Sequence, residues 1–200
     1  MLKIGITGPI GAGKSFVGEL LRKRNFQVLD ADRKVHELYR DSQELRAELA
    51  AFLGDVCLTP TGVNSALIAD RIFVDSIARK KLEQIVYPYL TREVEKFFDA
   101  GAAENINCKC AKFVEAALFS RAPSLVAMLD EIWIVDAPES VRLQRLVARG
   151  LSANDAARRI ENQRGVCAPE LFSGKRIRTV INDGDSLRVE NQLDTLFGKI

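Results

Sequence analysis

Paired cysteine spacing is missing from this 200-residue chain, and with it the usual sequence sign of a structural zinc site. The four cysteines are Cys57, Cys108, Cys110 and Cys167; Cys108-Lys109-Cys110 alone is a weak metal signal, and the plain reading is reduced thiols in a cytosolic protein. A chain of this size buries most of its unfolded apolar surface, so it needs no disulfide to hold a core. Long apolar runs are also absent. None approaches the roughly 20 residues that span a bilayer, and the first residues run straight into Leu2-Lys3-Ile4-Gly5-Ile6-Thr7 without the pattern of a secretion signal. A soluble, cytoplasmic protein is expected. The charge leans to neither sign: a formal net charge of +2 gives no argument for nucleic acid or membrane as a partner. Repeats, low-complexity tracts and flexible linkers are lacking too. What remains is ordinary globular composition, 47% apolar, which suits one large domain or one core with insertions.

The patterning then gives the class. Leu2 to Thr7 is a short apolar run that meets glycines, the mark of a buried strand. From Lys14 to Arg24, the residues Phe16, Val17, Leu20 and Leu21 share a helical face that closes on Arg22, Lys23 and Arg24. Gln27 to Leu29 is a second strand, so strand, helix and strand form a βαβ unit and imply a parallel sheet. Arg33 to about Ala103 reads as almost wholly helical, interrupted at Thr59-Pro60-Thr61-Gly62 and broken or restarted at Pro88. Strand signals return at Lys112 to Ala117, Glu131 to Val135 and Arg178 to Asn182. Helices lie between the last two, one opened by Ser152, and a final helix carries Val189, Leu193, Leu196 and Phe197. The expected architecture is an α/β core of about five parallel strands with two helical insertions.

One motif carries chemistry. Gly8-Pro9-Ile10-Gly11-Ala12-Gly13-Lys14-Ser15 matches the phosphate-binding pattern G-x-x-x-x-G-K-[ST] in full, between the first strand and the first helix. Such a loop points successive backbone N–H groups at phosphate oxygens, and glycines reach the required dihedrals without a Cβ clash. The helix that follows aims its positive end at the same anion. Lys14 supplies a mobile charge for the β and γ phosphates and Ser15 a hydroxyl for Mg²⁺. A P-loop specifies a nucleotide and leaves the reaction open. Asp30 and Asp32 stand two apart at the end of the second strand, on one face if the chain is extended, where an acid can take a hydroxyl proton or hold a metal's water shell. The alternative is a helix cap and a first-turn acid. Asp136 follows an apolar strand as a Walker B acid would, but Asp136-Ala137-Pro138 opens a helix, and capping is the favoured reading. Arg142, Arg145, Arg149, Arg158 and Arg159 crowd one segment. Arg145 and Arg149, four apart, share a helical face that could close on transferring phosphates; a solvated basic helix is the alternative.

With these pieces in view, the chain resembles the dephospho-coenzyme A kinases over nearly its full length. The resemblance rests on residues 5–15, Leu29-Asp30-Ala31-Asp32 with His36 beyond, Ile72-Phe73, Leu82-Glu83-Gln84-Ile85 leading to Pro88, the segment from Arg145 to Gln163, and Val180-Ile181-Asn182-Asp183-Gly184. It implies transfer of the ATP γ-phosphate to the ribose 3′-hydroxyl of dephospho-CoA, with Mg²⁺. It implies a nucleotide-kinase fold: a core at about 1–32, 106–137 and 171–200, a helical substrate subdomain at about 33–105 and a lid at about 138–170. Gly8, Gly11, Ala12, Gly13, Lys14, Ser15, Phe16 and Asn182 would hold ATP, with Asn182 near the adenine. Asp32 would be the base, Arg145 and Arg149 would meet phosphate, and Asp32, His36, Tyr87 and Pro88 would face the acceptor. His36, the lone histidine, reads equally as a solvated helix residue.

Three positions depart from the family pattern, all on the acceptor side. Tyr87 stands where the family has His, Ala116-Ala117-Leu118-Phe119-Ser120 where it has Pro-Leu-Leu-Phe-Glu, and Ser65 where it has Arg. Either the same acceptor is held by other contacts, with Glu115 and Arg121 near enough in sequence to stand in, or the acceptor has changed. Two other readings stay open: a kinase of another nucleoside or nucleotide, and an ATP-binding module without catalysis, against which Lys14, Ser15 and Asp32 argue.

The loop generates the first prediction. Lys14→Ala should keep the circular dichroism spectrum and lose nearly all phosphoryl transfer, because catalysis by positioning and charge stabilisation leaves little once the phosphate cation is gone. Turnover above about a tenth of wild type would remove the loop from the catalytic centre.

Overall fold

The computed structural model describes residues 1–100, 111–117 and 119–198. Cys108 and Cys110 lie outside them. Two compact units make up the chain, one of residues 1–29 and 101–200, the other of residues 30–100.

The first unit is built on a five-stranded parallel sheet of β1 (Leu2–Thr7), β2 (Gln27–Asp30), β5 (Ala111–Glu115), β6 (Glu131–Asp136) and β7 (Arg176–Ile181), in the order β2-β5-β1-β6-β7. β1 therefore lies in the middle, pairing Ile6 with Glu115 on one side and Trp133 on the other. Central strands of such a sheet are buried on both faces, which is why they read as continuous apolar runs. Helix α1 (Lys14–Lys23) lays Val17, Leu20 and Leu21 against Ile4, Ile6, Phe113, Trp133 and Val135. Helix α9 (Ser186–Phe197) adds Val189 and Leu193 to the same core, with Leu196 and Phe197 partly buried against it. Trp133 is fully buried, and its indole N–H donates to Glu131 at 2.9 Å. That buried carboxylate also pairs with Arg178, so its charge is compensated. Helix α6 (Pro123–Met128) completes the stretch between β5 and β6. Between β6 and β7, helices α7 (Glu139–Ala148) and α8 (Ala153–Glu161) share a small core of Leu146, Ala156 and Ile160. Ser152 caps α8 by accepting from the Asp155 N–H, as its sequence suggests.

The second unit holds α2 (Ala31–Asp41), α3 (Gln43–Leu53), α4 (Ser65–Val74) and α5 (Ser76–Asp99) around its own core, with Leu45 and Leu49 at its centre. Two details correct the sequence reading. The interruption at residues 59–62 is an antiparallel pair of two-residue strands, β3 (Leu58–Thr59) and β4 (Gly62–Val63), in register Leu58–Val63 and Thr59–Gly62. Pro88 neither ends nor starts a helix: α5 runs through it for 24 residues. A mid-helix proline costs about 3 kcal/mol. The burial of Leu82, Ile85, Val86, Leu90, Val94 and Phe98 along the same helix outweighs it, at about 1.5–3 kcal/mol for each large side chain. No helix among the described residues is long and apolar enough to cross a membrane.

The helical core sets the second prediction. Leu49 is fully buried, so Leu49→Ala should destabilise by about 2–5 kcal/mol in urea unfolding, the transfer and cavity terms together. A change under about 1 kcal/mol would place Leu49 outside a packed core.

Candidate active site

The phosphate loop leaves the C-terminal end of the central strand and enters α1 at Lys14. Gly8 must be bare: a Cβ there would lie 2.1 Å from the carbonyl oxygen of Val135 on β6. Gly11 and Gly13 take positive φ, 80° and 94°, which side chains disfavour. At Gly13 a Cβ would also meet the Asn182 amide nitrogen at 2.1 Å. Gly13 is the N-cap of α1, no side chain caps that end, and no acid sits in its first turn. The terminus is therefore a set of N–H groups ready for an anion.

The loop's carbonyls are tied to side chains. Lys14 Nζ donates to Gly8 O at 3.0 Å. Arg145 Nη1 donates to Gly11 O and Ala12 O, both at 3.1 Å, and its Nη2 donates to Asn182 Oδ1 at 2.9 Å. Asn182 Nδ2 returns a bond to Ala12 O at 2.9 Å, and the Asn182 N–H donates to Asp136 O at 2.7 Å. Gln163 Oε1 accepts from the Ile10 N–H at 2.8 Å, bringing the segment after α8 onto the loop. Burial, and then the charge of nearby Arg149, lower the Arg145 pKa from its ordinary value. Ser15 Oγ donates to Glu115 Oε1 at 2.8 Å, where β5 ends beside β1. Cys167 Sγ lies 3.7 Å from Thr7 Oγ1; burial raises its thiol pKa, against smaller lowering effects from Thr7 and Lys14.

Beside the loop, Gly13, Phe16, Arg145, Arg149, Asn182, Gly184 and Ser186 line an open hollow of about 310 Å³. The structure thus gathers Gly8, Gly11, Ala12, Gly13, Lys14, Ser15, Phe16, Arg145, Arg149 and Asn182 around one loop. Arg149 is the exposed C-cap of α7, while Arg145 is half-buried on the loop itself. The remaining named residues belong to the helical unit: Asp32 and His36 on α2, Tyr87 and Pro88 on α5. Of the departures, Ser65 opens α4 and Ser120 sits in a single 3₁₀ turn, while Leu118 lies outside the described residues.

Two acids differ from expectation. Asp30 and Asp32 do not share a face of extended chain. Strand becomes helix between Asp30 and Ala31, so Asp30 caps α2 through the Arg33 N–H at 2.9 Å and Asp32 is a first-turn acid. Asp136 does not cap α7. Pro138 holds the N-cap position, and the Asp136 carboxylate accepts from the Ala137 N–H at 2.8 Å. Sequence spacing gave no sign of the Gly11, Ala12 and Asn182 bonds to Arg145, whose partners are remote in the chain.

Asn182 generates the third prediction, since it is both donor to the loop and acceptor for Arg145. Asn182→Ala should weaken ATP binding about tenfold in calorimetric titration, with circular dichroism unchanged. Losing the partner of a buried polar group costs about 1–3 kcal/mol. Unchanged affinity would mean the loop holds its shape without this tie.

The chain has relatives of known family. The CoaE family, dephospho-CoA kinase, matches the chain over residues 2–168. The chain is 34% identical to a dephospho-CoA kinase of Corynebacterium efficiens, covering 100% of this chain and 98% of the relative, and 31% identical to that of Methylococcus capsulatus, covering 98% and 95%. Among solved structures, TT1252 from Thermus thermophilus superposes with a TM-score of 0.78 at 26% identity, covering 100% of this chain and 97% of the other. A shikimate kinase from Acinetobacter baumannii, at 15% identity and a TM-score of 0.53, covering 100% and 94%, shares the P-loop kinase fold. Identity above 30% along the whole length, on a loop and sheet of this design, is decisive: the chain belongs to the dephospho-CoA kinase family.

Proposed function

We propose that this protein transfers the γ-phosphoryl group of ATP to the ribose 3′-hydroxyl of dephospho-CoA, giving CoA and ADP, in the cytoplasm as the last step of coenzyme A biosynthesis. The observation that carries the reading is the loop's arrangement: carbonyls tied to Lys14, Arg145 and Asn182, beside an uncapped helix terminus. Catalysis of phosphoryl transfer is almost entirely positioning and charge stabilisation, and these residues supply both. Lys14 exchanges the neutral Gly8 carbonyl for phosphate oxygens. The adenine lies in the hollow of Phe16, Asn182 and Gly184. Arg149 meets the transferring phosphate, and residues 138–170 act as the lid that brings it there.

The donors at Ser15 fit Mg²⁺. A hydroxyl and a neighbouring carboxylate are hard oxygens, and among the described residues no three His, Cys, Asp or Glu gather to hold a metal by themselves. Mg²⁺ in kinases is bound by one or two protein oxygens together with substrate phosphates. When bound, it would offset the negative charge that develops on the transferring phosphate.

The acceptor is held by the helical segment at about 33–105, with His36, Tyr87 and Pro88 on its side. Asp32 orients the 3′-hydroxyl and takes its proton as the new O–P bond forms and the bond to the leaving ADP oxygen breaks. Asp30 is committed to capping α2, a structural duty.

An acceptor screen tests the reading. With purified protein, Mg²⁺ and ATP, ADP release should be fastest with dephospho-CoA. A nucleoside that outruns it would mean that Tyr87, Ser65 and Ser120 mark a changed acceptor, and no release with any acceptor would leave an ATP-binding module. At saturating ATP, Asp32→Asn should lower turnover by ~10² or more with ATP affinity little changed, and Asp30→Asn should do less harm. A nearly normal Asp32→Asn enzyme beside an inactive Asp30→Asn would exchange the two roles.

A further inference from the structure

The phosphate loop opens with a turn. The Ala12 N–H donates to Pro9 O at 3.1 Å, and Gly11, third of the four residues, has a φ of 80°. A positive φ at that place marks a type II turn, with Ile10 in the second position. The carbonyl that closes the turn shares a planar peptide unit with the Ile10 N–H, since Pro9 C=O and Ile10 N–H belong to one amide. Whatever holds that N–H therefore holds the carbonyl, and with it the turn.

Gln163 is what holds it. Its Oε1 accepts from the Ile10 N–H at 2.8 Å, from 153 residues further along the chain. Gln163 is half-buried between the exposed residues Asn162 and Arg164. It stands just beyond α8 in a run of turns, where its own N–H donates to Ile160 O at 3.1 Å and its carbonyl accepts from the Val166 N–H at 3.3 Å. The same segment holds the Ile10 side chain, which packs against Leu146, Ala156 and Ile160. Backbone and side chain of one loop residue are thus fixed by α7, α8 and the turn after them.

The consequence concerns the donors further along. Rotating the Pro9–Ile10 peptide would carry Pro9 O away from the Ala12 N–H, and Ala12 directly precedes Gly13, the N-cap of α1. The N–H groups at the start of α1 are the ones available to an anion, and their aim follows from the chain that leads into them. We propose that Gln163 is a positioning residue for the β-phosphate of the nucleotide. It acts through Ile10: it sets the Pro9–Ile10 peptide plane, keeps the leading turn closed, and so aims the later N–H groups before the phosphate binds. A donor set oriented in advance loses less freedom on binding. This inference rests on the reading of the loop as the nucleotide site and is independent of the acceptor.

Calorimetric titration with ADP and with AMP, beside amide hydrogen exchange at Ile10, tests the proposal without acceptor or turnover. Gln163→Met keeps most of the length and removes the acceptor oxygen. It should bind ADP about tenfold more weakly than wild type, bind AMP as wild type does because AMP has no β-phosphate, and exchange the Ile10 amide faster. Gln163→Asn keeps the amide but withdraws it by one carbon; it should behave like Gln163→Met, and it decides the matter if Gln163→Met does not fold. Unchanged ADP affinity overturns the proposal, whatever the exchange rate. Equal losses for ADP and AMP, or an ADP loss with Ile10 exchange unchanged, overturn it in favour of a packing role. Failure of the wild-type protein to bind ADP overturns the nucleotide reading of the loop and this inference with it.

Discussion

A backbone loop can turn its N–H groups toward an anion only if its carbonyls find partners elsewhere, since peptide donors and acceptors point in opposite directions. Here the partners are side chains: Arg145 holds the carbonyls of Gly11 and Ala12, Asn182 holds Ala12 again, and Lys14 holds Gly8. Arg145 does this with a planar fork, one nitrogen on two carbonyls and another on the Asn182 oxygen, which a lysine could not reproduce. Asn182 in turn is anchored by its own N–H on the end of β6. Loop shape, α7 and the end of β7 are therefore one hydrogen-bonded assembly.

This arrangement gives Arg145 and Arg149 different work although they are four residues apart on a helix. Arg145 bonds the carbonyls of the loop itself, so its removal perturbs the shape of the loop. Arg149 is exposed at the end of α7 and lines the hollow rather than the loop. The two guanidiniums therefore stand in different surroundings, one built into the loop and the other at the rim of the hollow.

Much of this was legible in the sequence, for definite reasons. The phosphate loop demands residue types at fixed spacing, so Gly8 to Ser15 could be read directly. The buried strands declared themselves by apolar runs, and α9 by the spacing of Val189 and Leu193. Failures came where a local signal met a wider constraint. Pro88 is a helix breaker by its own chemistry, but a long buried face carries α5 through it. Asp30 and Asp32 straddle a strand-to-helix change within one residue, finer than periodicity resolves. Arg145 and its loop partners are separated by 134 and 133 residues, and no spacing rule connects them. The Ser15–Glu115 bond is hidden in the same way, across 100 residues.

The placement of that last bond follows from packing rather than from the motif. Alternate residues of a strand share a face, so Ala111, Phe113 and Glu115 project to one side of β5. On that side Phe113 is fully buried, with its ring 5.3 Å from Phe26 and 5.2 Å from Trp133. Val17, Leu20 and Leu21 of α1 belong to the same core. The register that seats Phe113 in this aromatic cluster is the one that brings Glu115 beneath Ser15, one turn before Gly18. A slip of β5 by one residue against β1 would turn Phe113 away from this aromatic cluster and Glu115 to the opposite face. The apolar energy of the cluster thus fixes the register that places this buried acid.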